Sequence, residues 1–178
     1  MCHFLTSNFS KARLKSVEFH PSARVLLTSG LNQKLTLFQV DGKKNSKIQT
    51  IFIEKFPILA AHFTKLSGDE IIMGSRHKNF YYYDMMSGKI CHVIPPIKAL
   101  DEQQRPSMST NFEISPDNRL IAFVGSQGQI HLFSCKSKEW IDTVKINGTC
   151  NAVAFSPDSR YLFACGGKSI ILDELTFF

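Results

Sequence analysis

Apolar and polar residues alternate along short stretches of the chain, and no stretch shows the three-to-four-residue spacing of a helix. Val17 and Phe19 alternate with polar neighbours, and residues 35–40 (LTLFQV) and 129–134 (QIHLFS) follow the same two-residue period. Residues 48–54 and 140–146 are rich in β-branched and aromatic side chains. Alternation over runs this short predicts β-strands.

Turn sequences separate the predicted strands at regular intervals. They fall into three sets, each rich in residues that favour turns: HPSAR, LSGDE, SPDNR and SPDSR; then SGLNQK, SRHKN and SQGQ; then VDGKKNSK, MMSGK and CKSKE. Proline fixes φ early in the first set, and the following aspartate can bond its own backbone. Each set therefore joins neighbouring strands of one antiparallel hairpin unit.

One phrase occurs four times. Residues 112–125 (FEISPDNRLIAFVG) resemble residues 153–166 (VAFSPDSRYLFACG), residues 17–30 are a third copy, and residues 60–75 are the weakest. Anchored on Phe19, Phe63, Ile114 and Phe155, the copies are 44, 51 and 41 residues apart. The long middle step contains a proline-bearing, charged insertion at 95–109, which predicts a loop.

A four-stranded unit that recurs about every 40–45 residues is typical of a β-propeller blade. We therefore predict an all-β chain that forms an incomplete propeller, with three full four-stranded blades and a partial fourth. An N-terminal flank at 1–13 precedes the propeller region at 14–178. The predicted blades are residues 14–54, 55–95, 108–146 and 149–175.

The copies resemble WD40 repeats, although the Trp-Asp pair is absent. Its position at the end of the third strand is held by Phe38-Gln39, Tyr83-Asp84 and Phe133-Ser134. An aromatic residue at this point preserves the packing role of tryptophan between blades. The resemblance implies a WD40 β-propeller fold.

Several phrases are similar to the propeller of the U3 small nucleolar RNA-associated protein 18 family. They are LFQVDGK (37–43), KIQ (47–49), KFPI (55–58), YDMMSGK (83–89) and KING (145–148). The resemblance runs from about Leu14 to Gly167 and suggests a truncated form. It implies a non-catalytic scaffold of the small-subunit processome, located in the nucleus and nucleolus and acting in pre-rRNA processing. The implied partners are other processome proteins and U3 snoRNA or pre-rRNA.

The alternatives belong to other functional classes. A generic regulatory WD40 interaction module, such as a substrate receptor of a ubiquitin ligase, fits the repeats but not the family phrases. A propeller hydrolase would need acids, bases or metal ligands that recur on several blades, and the sequence shows no such set. We therefore expect no enzymatic activity and no cofactor.

Bulk properties narrow these classes further. The chain has 178 residues, of which 43% are hydrophobic and 20% charged, as expected for a folded domain. No apolar run approaches the length of a membrane span, and no secretion signal is evident. The five cysteines show no metal-ligand spacing, which favours reduced thiols in a cytosolic or nuclear protein.

Individual side chains offer little chemistry. The six histidines lack metal-ligand spacing, and Asp117 and Asp158 lie in equivalent turns, so turn geometry explains their recurrence better than acid–base catalysis. For residues 81–83 (YYY) we expect the alternate members to face the neighbouring blades and Tyr82 to point the other way, rather than a platform that stacks on bases.

Basic residues are the remaining candidates, because the formal net charge is +6. Lys43, Lys44 and Lys47 lie in one loop, and Lys136 and Lys138 lie in a loop placed as its equivalent. If the blades align, these five residues gather on one face and could contact RNA or an acidic partner. A solvated rim is the alternative interpretation. An open ring leaves its outer blades uncovered, so we also expect a partner or self-association.

Overall fold

The computed structural model describes residues 13–95 and 111–166 in full and the backbone of residues 169–174. All regular structure in these residues is β-strand, as predicted. The N-terminal flank before residue 13 and the 95–109 insertion beyond Pro95 lie outside the described residues. No helix in the described ranges has the length and hydropathy needed to cross a membrane.

The strands form four antiparallel sheets, each built from strands that are consecutive in the chain. Blade 1 contains β1 (Leu14–Phe19), β2 (Val25–Gly30), β3 (Lys34–Gln39) and β4 (Lys47–Phe52). Blade 2 contains β5 (Ala60–Phe63), β6 (Glu70–Gly74), β7 (Phe80–Asp84) and β8 (Lys89–Val93). Blade 3 contains β9 (Phe112–Ile114), β10 (Leu120–Val124), β11 (Gln129–Ser134) and β12 (Trp140–Lys145). Blade 4 contains β13 (Ala152–Phe155), β14 (Tyr161–Gly166) and β15 (Ser169–Glu174).

The four repeated phrases occupy the same structural position. Phe19, Phe63, Ile114 and Phe155 are each the last residue of the first strand of a sheet. The three complete four-stranded sheets and the three-stranded fourth sheet match the predicted architecture. The tail after Gly166 pairs with β14 as a third strand, with Ala164 opposite Ile171 and Phe163 opposite Leu172.

The core lies between consecutive sheets, because side chains of a strand alternate between its two faces. Leu27 and Leu37 of blade 1 pack with Phe63 and Met73 of blade 2. The opposite face of blade 2 packs on blade 3 around Phe80 and Phe123. Val124 and Leu132 of blade 3 pack with Val153 and Leu162 of blade 4. Each internal sheet is therefore buried on both faces.

Polar side chains in the first turns also link consecutive blades. The Lys65 backbone N–H of blade 2 donates to Asn118 Oδ1 of blade 3 over 2.7 Å. The Asp117 backbone N–H of blade 3 donates to Ser159 Oγ of blade 4 over 3.1 Å. Asn118 and Ser159 both adopt positive φ, 56° and 60°. These turn residues therefore complete the turn of the preceding blade.

Candidate interaction surface

The turns after the first and third strands lie at the same end of each sheet. The Val40 backbone N–H donates to the Arg24 carbonyl over 2.8 Å in blade 1, and the Cys135 N–H donates to the Arg119 carbonyl over 2.7 Å in blade 3. In blade 2 the Met85 N–H donates to the Asp69 carbonyl over 2.9 Å. We call this end the turn face, formed by residues 20–24, 40–46, 64–69, 85–88, 115–119, 135–139 and 156–160.

The longest of these turns is held by Asp41 and Asn45, which bind each other's backbone. Asp41 Oδ1 accepts the N–H groups of Lys43 and Asn45 over 2.8 and 2.9 Å. Asn45 Oδ1 accepts those of Asp41 and Gly42 over 3.2 and 3.1 Å. Hydrogen bonds from the Asn45 and Lys43 backbones lower the pKa of Asp41. The turn is therefore ordered by hydrogen bonds between its own polar groups.

This turn presents basic side chains to solvent. Lys43 and Lys44 in the turn are exposed, as is Arg24 in the adjoining turn. Lys47, expected in the same loop, is instead the first residue of β4 and is also exposed. Sequence reasoning missed Arg24, although an arginine ends the first turn in three of the four phrases. The 2.8 Å backbone bond between Val40 and Arg24 fixes the two turns beside each other. Blade 1 therefore carries a basic cluster, which we define as Arg24, Lys43, Lys44 and Lys47.

Lys136 is exposed on the same turn face in blade 3, as expected. Blade 2 lies between it and the basic cluster, and the turn there carries the carboxylate of Asp84. The Ser87 hydroxyl donates to Asp84 Oδ2 over 2.8 Å, and the Met86 N–H donates to Oδ1 over 2.8 Å. These bonds, the Ser87 side chain first, lower the pKa of Asp84 and keep it negative. The blade 2 turn therefore places a negative charge between Lys136 and the basic cluster.

Lys138 is not part of an exposed basic surface, and the expectation that it joins the lysines of the blade 1 turn is wrong. Gln39 N–H donates to the Ser46 carbonyl and Ser134 N–H to the Glu139 carbonyl, so the blade 3 turn is two residues shorter. Lys138 thus matches Asn45, the residue before the closing bond, and both have positive φ, 63° and 46°. Both are also buried. Sequence spacing did not reveal this because the two turns differ in length.

The Lys138 ammonium is bound within the protein. Its Nζ lies 2.6 Å from Glu70 Oε2 of blade 2, donates to the Cys135 carbonyl, and sits 4.8 Å from the centre of the Tyr82 ring. A carboxylate, a carbonyl oxygen and an aromatic face stabilise its positive charge. Lys138 therefore joins blades 2 and 3 and offers no contact to an external anion.

The repeated Ser-Pro-Asp turns are accounted for by internal hydrogen bonds. Ser115 Oγ donates to Asp117 Oδ1 over 2.6 Å and accepts the Leu120 N–H over 2.9 Å. Ser156 Oγ donates to Asp158 Oδ1 over 2.5 Å. This bond is the main cause of the lowered pKa of Asp158. Both aspartates serve turn geometry, as the sequence indicated.

The tyrosine run also lies as predicted. Tyr83 and Tyr81 pack on the side of blade 1, and Tyr82 packs on the side of blade 3. The Tyr83 hydroxyl donates to Gln49 Oε1 over 3.0 Å. A hydrogen bond with Cys91, together with burial, raises the pKa of Tyr82 to about 12. The three rings are packing elements between blades, so they do not form a stacking platform for bases.

The pKa values of other titratable side chains in the described ranges are shifted by burial, which does not favour their reactive forms. Burial lowers the pKa of His131, whose Nδ1 lies 2.9 Å from Thr143 Oγ1. Burial raises the pKa of the Cys135 and Cys150 thiols, which disfavours the reactive thiolate. Among the described residues, no three His, Cys, Asp or Glu side chains are grouped so as to hold a metal ion.

Known proteins share both the repeat and the sequence of this chain. Residues 141–172 match the family described as WD40: WD domain, G-beta repeat. The chain is 42% identical over 157 residues to the U3 small nucleolar RNA-associated protein 18 homolog of Homo sapiens, covering 88% of this chain and 27% of the relative. The homolog of Arabidopsis thaliana is 42% identical over 158 residues, covering 89% of this chain and 28% of the relative. The chain thus spans little more than a quarter of the length of these relatives.

A solved structure shares the fold. The β-propeller domain of Cps50 (Swd1) from Myceliophteria thermophila superposes with a TM-score of 0.69 at 14% identity, over 86% of this chain and 49% of that chain. This likeness confirms the predicted β-propeller architecture. It also shows that the four blades correspond to about half of that propeller domain.

Proposed function

We propose that this chain is a non-catalytic scaffold of the small-subunit processome. It has WD40 repeats, and 88% of its residues align with the human U3 small nucleolar RNA-associated protein 18 homolog. In this role it acts in pre-rRNA processing in the nucleolus, with other processome proteins as partners. The observation that carries the proposal is the 42% identity over 157 residues to the human homolog. In such a scaffold the blades hold their turns in fixed positions for partners to bind, and the role requires no catalysed reaction.

The basic cluster is the surface we assign to partner contact. Arg24, Lys43 and Lys44 project from turns and Lys47 from the start of β4, all with backbone that is already hydrogen-bonded, so binding needs little ordering of the chain. Lysine and arginine side chains neutralise phosphates and release counterions, which favours an RNA backbone such as pre-rRNA or U3 snoRNA. Lys136 extends the contact to blade 3. Lys138 is left out because its ammonium is bound to Glu70.

Sedimentation tests the scaffold role. The 178-residue chain, tagged and expressed in eukaryotic cells, is expected to travel with large pre-ribosomal particles when nucleolar extract is separated on a gradient. Crosslinking of the heavy fractions should then recover processome proteins. A chain that stays at the top of the gradient, or that fractionates with ubiquitin-ligase subunits, would contradict the proposal and favour a regulatory WD40 module.

Charge reversal tests the surface separately. The triple variant Lys43→Glu, Lys44→Glu, Lys47→Glu is expected to weaken binding to a structured RNA and to reduce the slope of log K against log salt by about 2. The matched control, Lys55→Glu, Arg76→Glu, Lys78→Glu, makes the same charge change outside the turn face on exposed residues. Equal loss in both variants would show that net charge alone, and not the basic cluster, governs binding.

A further inference from the structure

Ser46 lies among the lysines of the basic cluster and carries a hydroxyl that the fold does not use. It follows Lys43 and Lys44 and directly precedes Lys47. Ser46 is exposed, and among the described residues no hydrogen bond holds its hydroxyl. Its backbone carbonyl, by contrast, accepts the Gln39 N–H over 2.8 Å and closes the turn. The side chain can therefore be modified without loss of an internal contact.

The residues before Ser46 match what a basophilic protein kinase recognises. Such kinases select a hydroxyl by the basic side chains that precede it, because carboxylates of the enzyme bind those charges. Lys43 and Lys44 precede Ser46 by three and two positions, and both side chains are exposed. The basic cluster therefore also presents Ser46 as a substrate for a kinase of this class.

A second serine with basic neighbours shows why exposure matters. Arg13 and Lys15 precede Ser16 in the chain. Ser16 is half-buried in β1, and its Oγ accepts the Ala61 N–H of blade 2 over 3.0 Å. A kinase would have to separate two blades to reach this hydroxyl. Of these two serines, Ser46 is therefore the better phosphate acceptor.

The turn can open to present Ser46 without disturbing the sheet. Its side-chain hydrogen bonds join Asp41 and Asn45 to the backbone of the same turn. Exposed turns with few buried apolar contacts are the segments that open most easily. A kinase that binds its substrate in extended form therefore has to break mainly local bonds.

Blade 3 shows that the fold tolerates a negative charge at this position. The bond that closes the turn is accepted by the Ser46 carbonyl in blade 1 and by the Glu139 carbonyl in blade 3, so the two residues are equivalent. Glu139 is exposed, and its carboxylate stands where the Ser46 hydroxyl stands in blade 1. An anionic group on residue 46 therefore has a counterpart within this protein.

We propose that Ser46 is a phosphorylation site whose modification switches off the basic cluster. The Ser46 oxygen forms a bond to the γ-phosphorus of ATP while the bond from that phosphorus to the leaving ADP oxygen breaks, and the hydroxyl proton passes to a base of the kinase. The new group brings a charge of about −1.5 to −2, which offsets about two of the basic charges and can pair with them directly. This switch rests on the proposed function, because it acts through RNA binding by the basic cluster.

Phosphorylation is measured first, without RNA. The 178-residue chain is incubated with ATP and the catalytic subunit of cyclic-AMP-dependent protein kinase, and mass spectrometry locates the phosphate. Ser46 is expected to be modified, and the variant Lys43→Ala, Lys44→Ala should be modified at least about tenfold more slowly. Ser46→Ala is the matched control. Modification confined to other residues, or none at all, would overturn the assignment.

Binding to a structured RNA is measured next, with the parent chain, the phosphorylated chain and Ser46→Glu. Loss of one phosphate contact weakens binding about five- to tenfold at about 0.1 M salt, so Ser46→Glu should show that loss and the phosphorylated chain a larger one. The slope of log K against log salt should fall by about 1 and about 2, respectively. Met86→Glu adds the same charge at an exposed residue in the blade 2 turn of the turn face, and it should bind as the parent chain does.

The results separate this switch from the proposed function. If the parent chain binds RNA and Ser46→Glu binds equally well, the switch is wrong and the basic cluster keeps its assigned role. If Ser46→Glu and Met86→Glu weaken binding equally, net charge governs binding and the switch is again wrong. A parent chain that binds no RNA would remove both the assigned surface and the switch, even where Ser46 accepts phosphate.

Discussion

The junction between blades 1 and 2 and the junction between blades 2 and 3 use different chemistry on the same repeat. The first is mainly aliphatic, with residues such as Leu35 and Ile71, and its polar contacts are partly exposed. There Glu18 Oε2 meets His62 Nδ1 over 2.9 Å, and Glu18 Oε1 lies 3.7 Å from Lys65 Nζ. The second contains clustered phenylalanine rings and the Lys138–Glu70 ion pair.

The difference teaches that the repeated phrase specifies strands and turns but not the contacts between blades. In the second junction the Phe123 ring lies 4.8 Å from the rings of Phe80 and Phe112 and 5.6 Å from that of Phe133. A ring surrounded by rings gains contacts that a smaller side chain cannot replace. We therefore expect the second junction to depend on a few residues and the first to distribute its stability over many.

The largest expected effect comes from removing the central ring. Phe123→Ala should lower the free energy of unfolding by about 3–5 kcal/mol, because it removes a fully buried ring and leaves a cavity. Leu35→Ala in the first junction should cost less, toward the lower end of the range of about 2–5 kcal/mol for a buried leucine. Urea denaturation at one fixed protein concentration compares the two. Equal losses would show that the aromatic cluster carries no special share of the stability.

The next largest effect is a difference in stability between loss of the buried Lys138–Glu70 pair and loss of the partly exposed contacts of Glu18. Glu70→Gln leaves the Lys138 ammonium, whose side chain is only 5% exposed, without its carboxylate, and should cost about 3 kcal/mol. Glu18→Gln should cost less than about 1 kcal/mol, since water can replace the lost contacts of a partly exposed group.

The double variant Glu70→Gln, Lys138→Met is the control for this comparison. Removing both charges should recover most of the stability lost in Glu70→Gln, because the penalty arises from the unpaired ammonium. If the double variant is as unstable as the single one, the contact between blades is lost for another reason, such as altered turn geometry at Lys138.

The smallest effect is a pH dependence at blade 3. Burial lowers the pKa of His131 in the folded protein, while the unfolded chain keeps a value near 6.5. Below that value the unfolded state binds a proton that the folded state disfavours, so stability falls as the pH drops from about 6.5 toward the folded pKa. The slope contributed by one group is at most about 1.4 kcal/mol per pH unit.

A His131→Gln variant isolates this contribution. Glutamine does not titrate, so the variant should lose the slope below pH 6.5 even if its stability at neutral pH also changes. Chemical denaturation at pH 5.5, 6.5 and 7.5 provides the measurement. An unchanged slope would assign the acid sensitivity to other groups.

Much of this architecture was readable from the sequence. Phe19, Phe63, Ile114 and Phe155 each end the first strand of a sheet, as their repeated surroundings predicted. The alternation around Tyr82 also gave its direction correctly. Local patterns succeed here because strand period and turn chemistry are set by neighbouring residues.

Contacts between distant residues were not readable in this way. Lys138 looked like a surface lysine because nothing nearby in the sequence reports Glu70, which lies 68 positions away. Its positive φ of 63°, at a position where blade 2 has Gly88, is a property of the folded turn. Arg24 was missed for the same reason, since only the backbone bond to Val40 shows that its turn adjoins the lysine-rich one.

The turn residues Asn118 and Ser159 have a consequence for synthesis on the ribosome. Each completes the turn of a blade that was translated earlier, by binding the N–H groups of Lys65 and Asp117. A nascent chain can therefore finish blade 2 only after Asn118 has left the exit tunnel, and blade 3 only after Ser159 has done so. The blades are thus completed in the order of translation, because each newly emerged blade supplies a hydrogen bond to the turn of the blade before it.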